Sequence, residues 1–257
     1  YWSEAAELVT SSRLILGTLR RVEAWGLRGA KMLFAAHQPL LDRLRSAGIM
    51  TPAVPIGFGA DTKDFRYENQ SPPEPPVFVY AGTHSEWHGA GIFVEAMRQV
   101  VQQHPGARLL FYGNGEEREG MQARALELGI ESSVEFNAPI PPAALSPILA
   151  GATATVASLA PVPANEYALA TKAYSSLAAG CPVIFAGPGP TVEFLRDSGH
   201  PRAGVAVGYD VDATATAMNE AATAPLQPVA RAELAEWSSR QFSMNVIAEQ
   251  VVAECLA

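Results

Sequence analysis

Cysteine, long apolar runs and excess positive charge are all scarce in this chain of 257 residues. Its two cysteines, Cys181 and Cys255, cannot form the disulfide framework of a small secreted domain, so we expect a reducing, cytoplasmic compartment. No uninterrupted apolar stretch reaches the roughly 18 residues that a membrane-spanning helix needs. The 18 Lys and Arg residues are outnumbered by 26 Asp and Glu residues, and the net charge of −8 argues against a nucleic-acid-binding protein.

The basic residues that are present concentrate near the amino-terminal end. Residues 1–50 carry seven Lys and Arg against four Asp and Glu, whereas the remainder carries eleven against twenty-two. Such an asymmetry is compatible with a surface that contacts anionic lipid or an anionic ligand, but it is more typical of a solvated helix face. Peripheral contact with the inner face of a membrane, through the basic amino-terminal part, is therefore one expectation.

From residue 75 onward, short β-rich runs alternate with helical periods. This alternation predicts an α/β fold in which a parallel sheet carries helices on both faces, wound in two directions from its centre. The predicted strands are 77–80, 107–112, 134–136, 152–158, 183–185 and 204–207. Helices are predicted between them, including a single long one over 165–179 that ends at Gly180.

The chain divides by pattern into three parts. Residues 1–60 read as helix, strand, helix and strand, which is too little for a complete α/β domain. Residues 61–240 hold the complete alternating pattern, after the glycines and prolines of a predicted hinge and linker. Residues 241–257 predict a final helix whose apolar stripe needs another surface to cover it.

A loop with two histidines follows the first strand of the alternating part. Gly82 allows close approach of a ligand, and His84 and His88 can each donate to a phosphate oxygen, at the strand end where open α/β sheets bind ligands. The alternative is a turn with surface histidines. Glu86 lies between the two histidines, but a loop places no third ligand, so we expect no metal.

The second strand runs into Gly113, Asn114 and Gly115. A dinucleotide-binding motif would need its third glycine where Arg118 stands, so the match to that motif fails. Glu135, on the next strand, can mimic the acid that binds a ribose hydroxyl, although an acid there is common by chance. We expect the two glycines to form a strand-to-helix turn that lines a cleft.

Lys172 is the third feature of interest. It lies in the first turns of the predicted helix 165–179, where the helix dipole disfavours a cation unless an anion is bound. This placement favours a bound phosphate, and the alternative is a solvated surface lysine.

Taken in order, these segments resemble the carboxy-terminal half of a GT-B glycosyltransferase of the retaining, glycogen-synthase-like group, the glycosyl transferases group 1. The sequence VYAGT at 79–83 resembles the family's strand and glycine turn, and LFYGNGEE at 110–117 its glycine-rich segment. The sequence KAYSSLAAGCPVI at 172–184 resembles its donor-site helix, and IGFGADTKDF at 56–65 its interdomain hinge. The resemblance covers nearly the whole chain in collinear order.

The resemblance implies two Rossmann-like lobes, of which the amino-terminal acceptor lobe (1–60) is incomplete in this chain, and a final helix that crosses back to it. It implies transfer of a sugar, with retention and without a metal or cofactor, from a nucleotide-diphosphate donor to a glycan, lipid or small-molecule acceptor. No catalytic residue is assigned. The implied donor-binding residues are Gly82, Thr83, His88, Gly113, Asn114, Gly115, Glu166, Tyr167, Lys172 and Ser175.

Two departures from the family pattern leave other functions open. Thr83 and His88 stand where the family commonly has Arg and Lys, and Tyr167 and Ser175 fall where it often has two glutamates. A non-catalytic GT-B partner subunit and a nucleotide-sugar epimerase are the alternatives to a transferase. A nicotinamide dehydrogenase is disfavoured by Arg118.

Overall fold

Two parallel sheets organise the part of the chain that the computed structural model describes, which comprises residue 6, residues 10–197 and residues 200–256. Its contacts divide it into two compact units. One contains the residues up to Phe58 together with the chain from Ile247, and the other is Gly59–Val246.

The first unit contains helix α1 (Arg13–Gly29), strand β1 (Leu33–Ala35), helix α2 (Gln38–Ser46) and strand β2 (Ala53–Pro55). The two strands pair in parallel. Helix α2 begins where the His37 ring accepts a hydrogen bond from the Leu40 backbone N–H, with a proline in its first turn. Leu41 and Leu44 on this helix are the centre of a small core. The predicted order of helix, strand, helix and strand is confirmed.

The second unit is built on a six-stranded sheet in which every strand pair is parallel. The spatial order is β5-β4-β3-β6-β7-β8, so the first strand of this unit lies in the middle and the chain winds outward from it in both directions. The six predicted strands are confirmed, with ends moved by one or two residues. They are β3 (Val77–Ala81), β4 (Arg108–Tyr112), β5 (Val134–Asn137), β6 (Ala154–Ser158), β7 (Val183–Ala186) and β8 (Gly204–Val207).

Helices cover both faces of this sheet because its strands are apolar on both sides. Phe78 and Tyr80 on β3 belong to a core on one face, whereas Val79 between them packs into the core of the other face. Burial of each such large side chain contributes roughly 1.5–3 kcal/mol. The helices are α3 (Gly91–Gln103), α4 (Arg118–Glu127), α5 (Pro142–Ala150), α6 (Lys172–Ala178), α7 (Pro190–Asp197), α8 (Val211–Thr223) and α9 (Pro228–Phe242).

The prediction of one helix over 165–179 is wrong. A short 3-10 helix, Pro163–Tyr167, is separated from α6 by extended backbone beginning at Ala168. The Ala170 N–H in this gap donates to the Thr191 hydroxyl at 2.9 Å instead of to a helical carbonyl. A tertiary contact therefore overrides the local helical preference of this alanine-rich segment.

Helix α9 was not predicted. Its buried face consists of Arg231, Leu234, Ala235 and Ser238, so two of the four buried positions are polar. That composition hides the helical period of apolar residues that a sequence pattern depends on.

The final helix, α10 (Met244–Leu256), has no fully buried residue. No helix in the described part of the chain combines the length and the apolar character needed to cross a bilayer.

Candidate functional site

A cavity of about 500 Å³ lies where β3 and β4 end, next to the point at which the order of the strands reverses. Ligands of open α/β sheets bind at such a switch point. Its lining combines polar side chains such as Asn114, Lys172 and Ser175 with apolar ones such as Pro139, Ile140 and Leu145. Six of the residues predicted to bind a donor line it: Gly82, Thr83, Gly113, Asn114, Lys172 and Ser175.

Gly82 and Gly113 bring the two strand ends into direct backbone contact. Their φ angles are 151° and 149°, a region that side chains with a Cβ rarely adopt. A Cβ on Gly113 would lie 1.9 Å from the Gly82 carbonyl oxygen, and a Cβ on Gly82 would lie 2.7 Å from Lys172 Nζ. Because neither glycine has a side chain, their backbones can approach each other and Lys172 Nζ can lie beside Gly82.

Gly115 does not line the cavity, and it is needed instead for the packing of the loop against its neighbour. A Cβ there would lie 2.0 Å from the His84 carbonyl oxygen. The loop is held in place because the His84 N–H donates to the Asn114 carbonyl and the Glu117 N–H donates to the His84 carbonyl. Gly115 therefore allows the two loops after β3 and β4 to pack together.

Lys172 is the first residue of α6, and its amine is buried at the cavity. Nζ lies 3.9 Å from the centroid of the Tyr80 ring and has no hydrogen-bond partner among the described residues. Burial lowers the pKa of the amine from 10.5 to about 7. The alternative of a solvated surface lysine is therefore excluded, and the amine is ready to bind an anion.

His84 does not have the position expected of a phosphate donor. The residue is fully buried, and its ring meets the rings of Phe111 and Phe136 edge-on. Burial, reinforced by the nearby charges of Arg118 and Lys172, lowers its pKa to about 4. His84 is a neutral core residue, so the expectation that it donates to phosphate is wrong.

His88 lies outside the described cavity wall. Its Nδ1 is 2.6 Å from the Ser85 hydroxyl, and its ring lies against Trp87 with 3.9 Å between the centroids. Burial, followed by the charge of Lys172, lowers its pKa to about 4. His88 is therefore neutral at pH 7 in the free protein, and a protonated His88 requires an added anion.

The acidic and aromatic residues predicted near the donor also lie away from the described cavity wall. Glu166 and Tyr167 are on the short 3-10 helix, where Glu166 is exposed. Glu135 forms an ion pair with Arg108. Within the described ranges, no three His, Cys, Asp or Glu side chains come together as a metal site would require.

Arg118 supports the walls of the cavity, a role that the sequence did not predict. Its guanidinium donates to the Gly113 carbonyl at 3.2 Å, to Asn114 Oδ1 at 3.2 Å and to the Phe136 carbonyl at 2.7 Å. It thereby joins the loops that follow β4 and β5, two walls of the cavity. The only sequence signal was its place in an imperfect glycine motif.

Asn165 was also missed. It is fully buried, and its Nδ2 donates to the Trp87 carbonyl at 2.6 Å and to the Ala160 carbonyl at 2.8 Å. These bonds tie the histidine loop after β3 to the segment after β6. Nothing in the local sequence distinguishes this asparagine from a loop residue.

The order of the strands and the glycine turns at their ends define an open α/β domain of Rossmann-like type. The chain belongs to the glycosyl transferases group 1, because the model of that family matches residues 75–223. This confirms the family resemblance and the predicted fold class.

Known proteins agree with this assignment. The chain is 28% identical over 192 residues to a D-inositol 3-phosphate glycosyltransferase of Segniliparus rotundus, a match that covers 72% of this chain and 39% of that protein. The chain thus spans well under half of that relative's length.

Two solved structures show the same fold. A sucrose-phosphate synthase from Thermosynechococcus elongatus has a TM-score of 0.74 at 20% identity, over 97% of this chain and 64% of its own. Anabaena HepE in complex with UDP has a TM-score of 0.70 at 18% identity, over 88% of this chain and 64% of its own.

Proposed function

We propose that this chain forms the donor-binding part of a retaining glycosyltransferase, which moves a sugar from a nucleotide-diphosphate donor to a hydroxyl of a glycan, lipid or small-molecule acceptor. The observation that carries the proposal is the buried amine of Lys172, a residue that lines the cavity, because this amine has no hydrogen-bond partner among the described residues. A diphosphate is an anion whose charge such an amine would bind through a charged hydrogen bond. Family membership supports the transfer reaction, and the UDP bound to Anabaena HepE supports a diphosphate donor.

The residues at the cavity can stabilise a departing diphosphate without a metal. Negative charge develops on the leaving phosphate as the bond to the sugar breaks. Lys172 Nζ supplies a positive charge beside the backbone of Gly82. This amine is preorganised and shielded from water, which is where electrostatic stabilisation is strongest.

Binding of nucleotide diphosphates tests the proposal directly. We expect one of UDP, GDP, ADP or CDP to raise the melting temperature, because a ligand at 100 times its Kd stabilises the folded state by about 2.7 kcal/mol. Substitution of Lys172→Ala should weaken that binding by roughly 10- to 150-fold in calorimetry, which is the loss of one charged hydrogen bond. Lys63→Ala, at an exposed lysine of the same unit, is the matched control and should bind like the wild type.

Turnover separates the transferase from the other candidates. Sugar transfer to an acceptor supports the proposal. Conversion of a free nucleotide sugar without an acceptor would favour an epimerase. If none of the four diphosphates binds, or if Lys172→Ala binds as tightly as the wild type, the proposed site is wrong.

Helix α1 supports peripheral contact with an anionic membrane, which we propose as a second property of the protein. Leu14 and Trp25 on this helix are 81% and 79% exposed. Exposed basic side chains accompany them at Arg13, Arg21 and Arg28. A helix that exposes both apolar and basic residues binds at the surface of an anionic bilayer.

Vesicle sedimentation tests this second property. We expect binding to phosphatidylglycerol vesicles that weakens with added salt, and no binding to phosphatidylcholine vesicles. The double variant Leu14→Ala, Trp25→Ala should lose it, whereas Val229→Ala, at an exposed valine of α9, should not. Equal binding by the wild type and the double variant would exclude α1 as the contact.

A further inference from the structure

The buried amine of Lys172 lies over an aromatic ring and has no carboxylate partner. Nζ is 3.9 Å from the centroid of the Tyr80 ring, well inside the distance of about 6 Å within which a ring face attracts a cation. None of the described residues that line the cavity is Asp or Glu. Since buried lysines are almost always paired, the ring stands where a carboxylate would be expected.

The Tyr80 ring is fixed in this position by its own contacts. The residue is fully buried on β3, and its hydroxyl donates to the Thr83 carbonyl at 2.9 Å. Its ring packs against the rings of Phe93 and Phe111 in the same core. Gly82, two residues further on, leaves room for the amine beside the ring because it has no Cβ.

A ring and a carboxylate have different consequences for an anion that approaches the amine. A carboxylate would neutralise the ammonium and repel the anion. A ring attracts the ammonium through its quadrupole and carries no net charge. The three N–H groups of the ammonium then stay available for acceptor oxygens of a ligand.

We propose that Tyr80 is a positioning residue of the anion site, whose ring holds the Lys172 amine in place and favours its charged form without competing with the anion. The identity of that anion as a diphosphate rests on the proposed function. The contact between ring and amine does not, because it exists in the free protein.

The other titratable groups around this site can be separated from the amine by pH. They come from the loops after β3 and β4 and from the cavity wall, and they are His84, His88, Tyr112, Glu116 and Arg118. Both histidines have a pKa of about 4, and burial raises the pKa of the Tyr112 hydroxyl above 10. Glutamate and arginine side chains do not titrate near pH 7.

An NMR titration of the free full chain tests the proposal without any ligand. The chain has three lysines, Lys31, Lys63 and Lys172, so isotope-labelled lysine gives three signals, of which Lys172→Met removes the one that belongs to the cavity. Tyr80→Leu should make this amine at least about tenfold more acidic, because a desolvated cation–π contact corresponds to more than one pKa unit. Phe93→Leu removes a buried ring of the same core and is the matched control, which should leave the acidity unchanged.

The electronic character of the ring separates the cation contact from packing. Tyr80→Phe keeps the ring face and should leave the acidity of the amine close to that of the wild type. A fully ring-fluorinated phenylalanine at the same position has nearly the same shape but lacks the negative ring face, so it should make the amine as acidic as Tyr80→Leu does. The melting temperature of each variant checks its folding.

Nucleotide binding then shows whether the ring contact acts on the anion site. Tyr80→Leu should weaken binding of a nucleotide diphosphate by about tenfold at pH 8 but only about twofold at pH 6, where more of the amine is charged. A merely structural role would weaken binding equally at both pH values.

Three results would overturn the role of Tyr80. They are an unchanged acidity of the amine in Tyr80→Leu, the same acidity with plain and fluorinated phenylalanine, and an equal loss of binding at the two pH values. Failure of every diphosphate to bind would instead overturn the proposed function, and the titration of the free protein would still decide whether the ring holds the charged amine.

Discussion

At the residue scale, the close approach of the ends of β3 and β4 restricts which amino acids the site can accept there. Gly113 is buried, and any side chain on it would overlap the Gly82 carbonyl. We therefore expect Gly113→Ala to lower the free energy of unfolding by at least about 2 kcal/mol, because the backbone angle is strained and the neighbouring loop must move.

Gly120→Ala is the matched control, since nothing lies within 4 Å of the added Cβ and the residue is inside helix α4. It should stabilise the protein by up to about 1 kcal/mol. Urea unfolding of both variants measures the difference. Equal stability of Gly113→Ala and Gly120→Ala would show that the ends of β3 and β4 move apart easily. The proposed site would then have no rigid wall at these strand ends.

The lowered pKa of Lys172 predicts a pH dependence of nucleotide binding. At the pKa of about 7 in the free protein, half of the amines are neutral. A bound diphosphate favours the charged form and raises that pKa, so binding above pH 7 takes up a proton and weakens as the pH rises further. Well below pH 7 the amine is already charged, and this contribution to the pH dependence disappears.

Calorimetry at pH 8, in two buffers of different ionisation enthalpy, measures this proton uptake. The wild type should take up close to one proton per nucleotide diphosphate, which is itself fully ionised there, and Lys172→Met should take up none. His84 and His88, whose pKa values are about 4, stay neutral in the free protein at this pH. Equal uptake by the wild type and the variant would assign the proton to another group.

The parts of the site that could be predicted from sequence depend on local chain geometry. Gly82 and Gly113 follow strands directly, and those positions can be predicted from short patterns. The burial of His84 could not, because the rings of Phe111 and Phe136 that enclose it come from other strands. Local sequence therefore indicates where a cavity opens but not which nearby side chains face it.

Among the elements, the strands were easier to predict than the helices behind them. Five of the six strands are mainly apolar runs, β5 with Glu135 and Asn137 being the exception, and a parallel sheet buried on both faces requires such runs. Helix α9 was missed because it buries Arg231 and Ser238 beside Leu234 and Ala235. The Arg231 guanidinium is compatible with the core because of tertiary hydrogen bonds, which no local pattern shows.

Arg231 connects helix α9 to the segment between α5 and β6. The guanidinium is fully buried and donates to the carbonyls of Ala150, Ala152, Thr153 and Leu226, at 2.6 Å for Ala150 and 2.9 Å for Leu226. Arg231→Met should lower the free energy of unfolding by about 3 kcal/mol or more, because several buried carbonyls lose their donor.

Arg240→Met, on the same helix, is the control for the loss of an arginine. Arg240 is exposed and forms a surface ion pair with Glu236, so its replacement should cost at most about 1 kcal/mol. Both variants are compared by urea unfolding. If Arg231→Met is no less stable than Arg240→Met, the buried hydrogen bonds do not hold α9 against the sheet.

At the scale of the whole molecule, the family match and the folding unit have different boundaries. The match spans residues 75–223, whereas the compact unit is Gly59–Val246. The additional residues close the unit on itself, because the Ala60 N–H donates to the Phe242 carbonyl at 2.8 Å and the Met244 N–H donates to the Ala60 carbonyl at 2.9 Å. Phe65 also packs into one of the sheet's cores and lines the cavity.

We therefore expect a fragment of residues 59–246 to fold cooperatively and to bind nucleotide diphosphate as tightly as the full chain. A fragment limited to residues 75–223 should not fold, since it lacks Phe65, Arg231 and Leu234 and the buried carbonyls of Ala150 and Ala152 lose their Arg231 donor. Urea unfolding followed by circular dichroism, with calorimetry of the folded fragment, tests both. Cooperative unfolding of 75–223 with unchanged affinity would show that α9 is dispensable, and it would contradict the role assigned to Arg231.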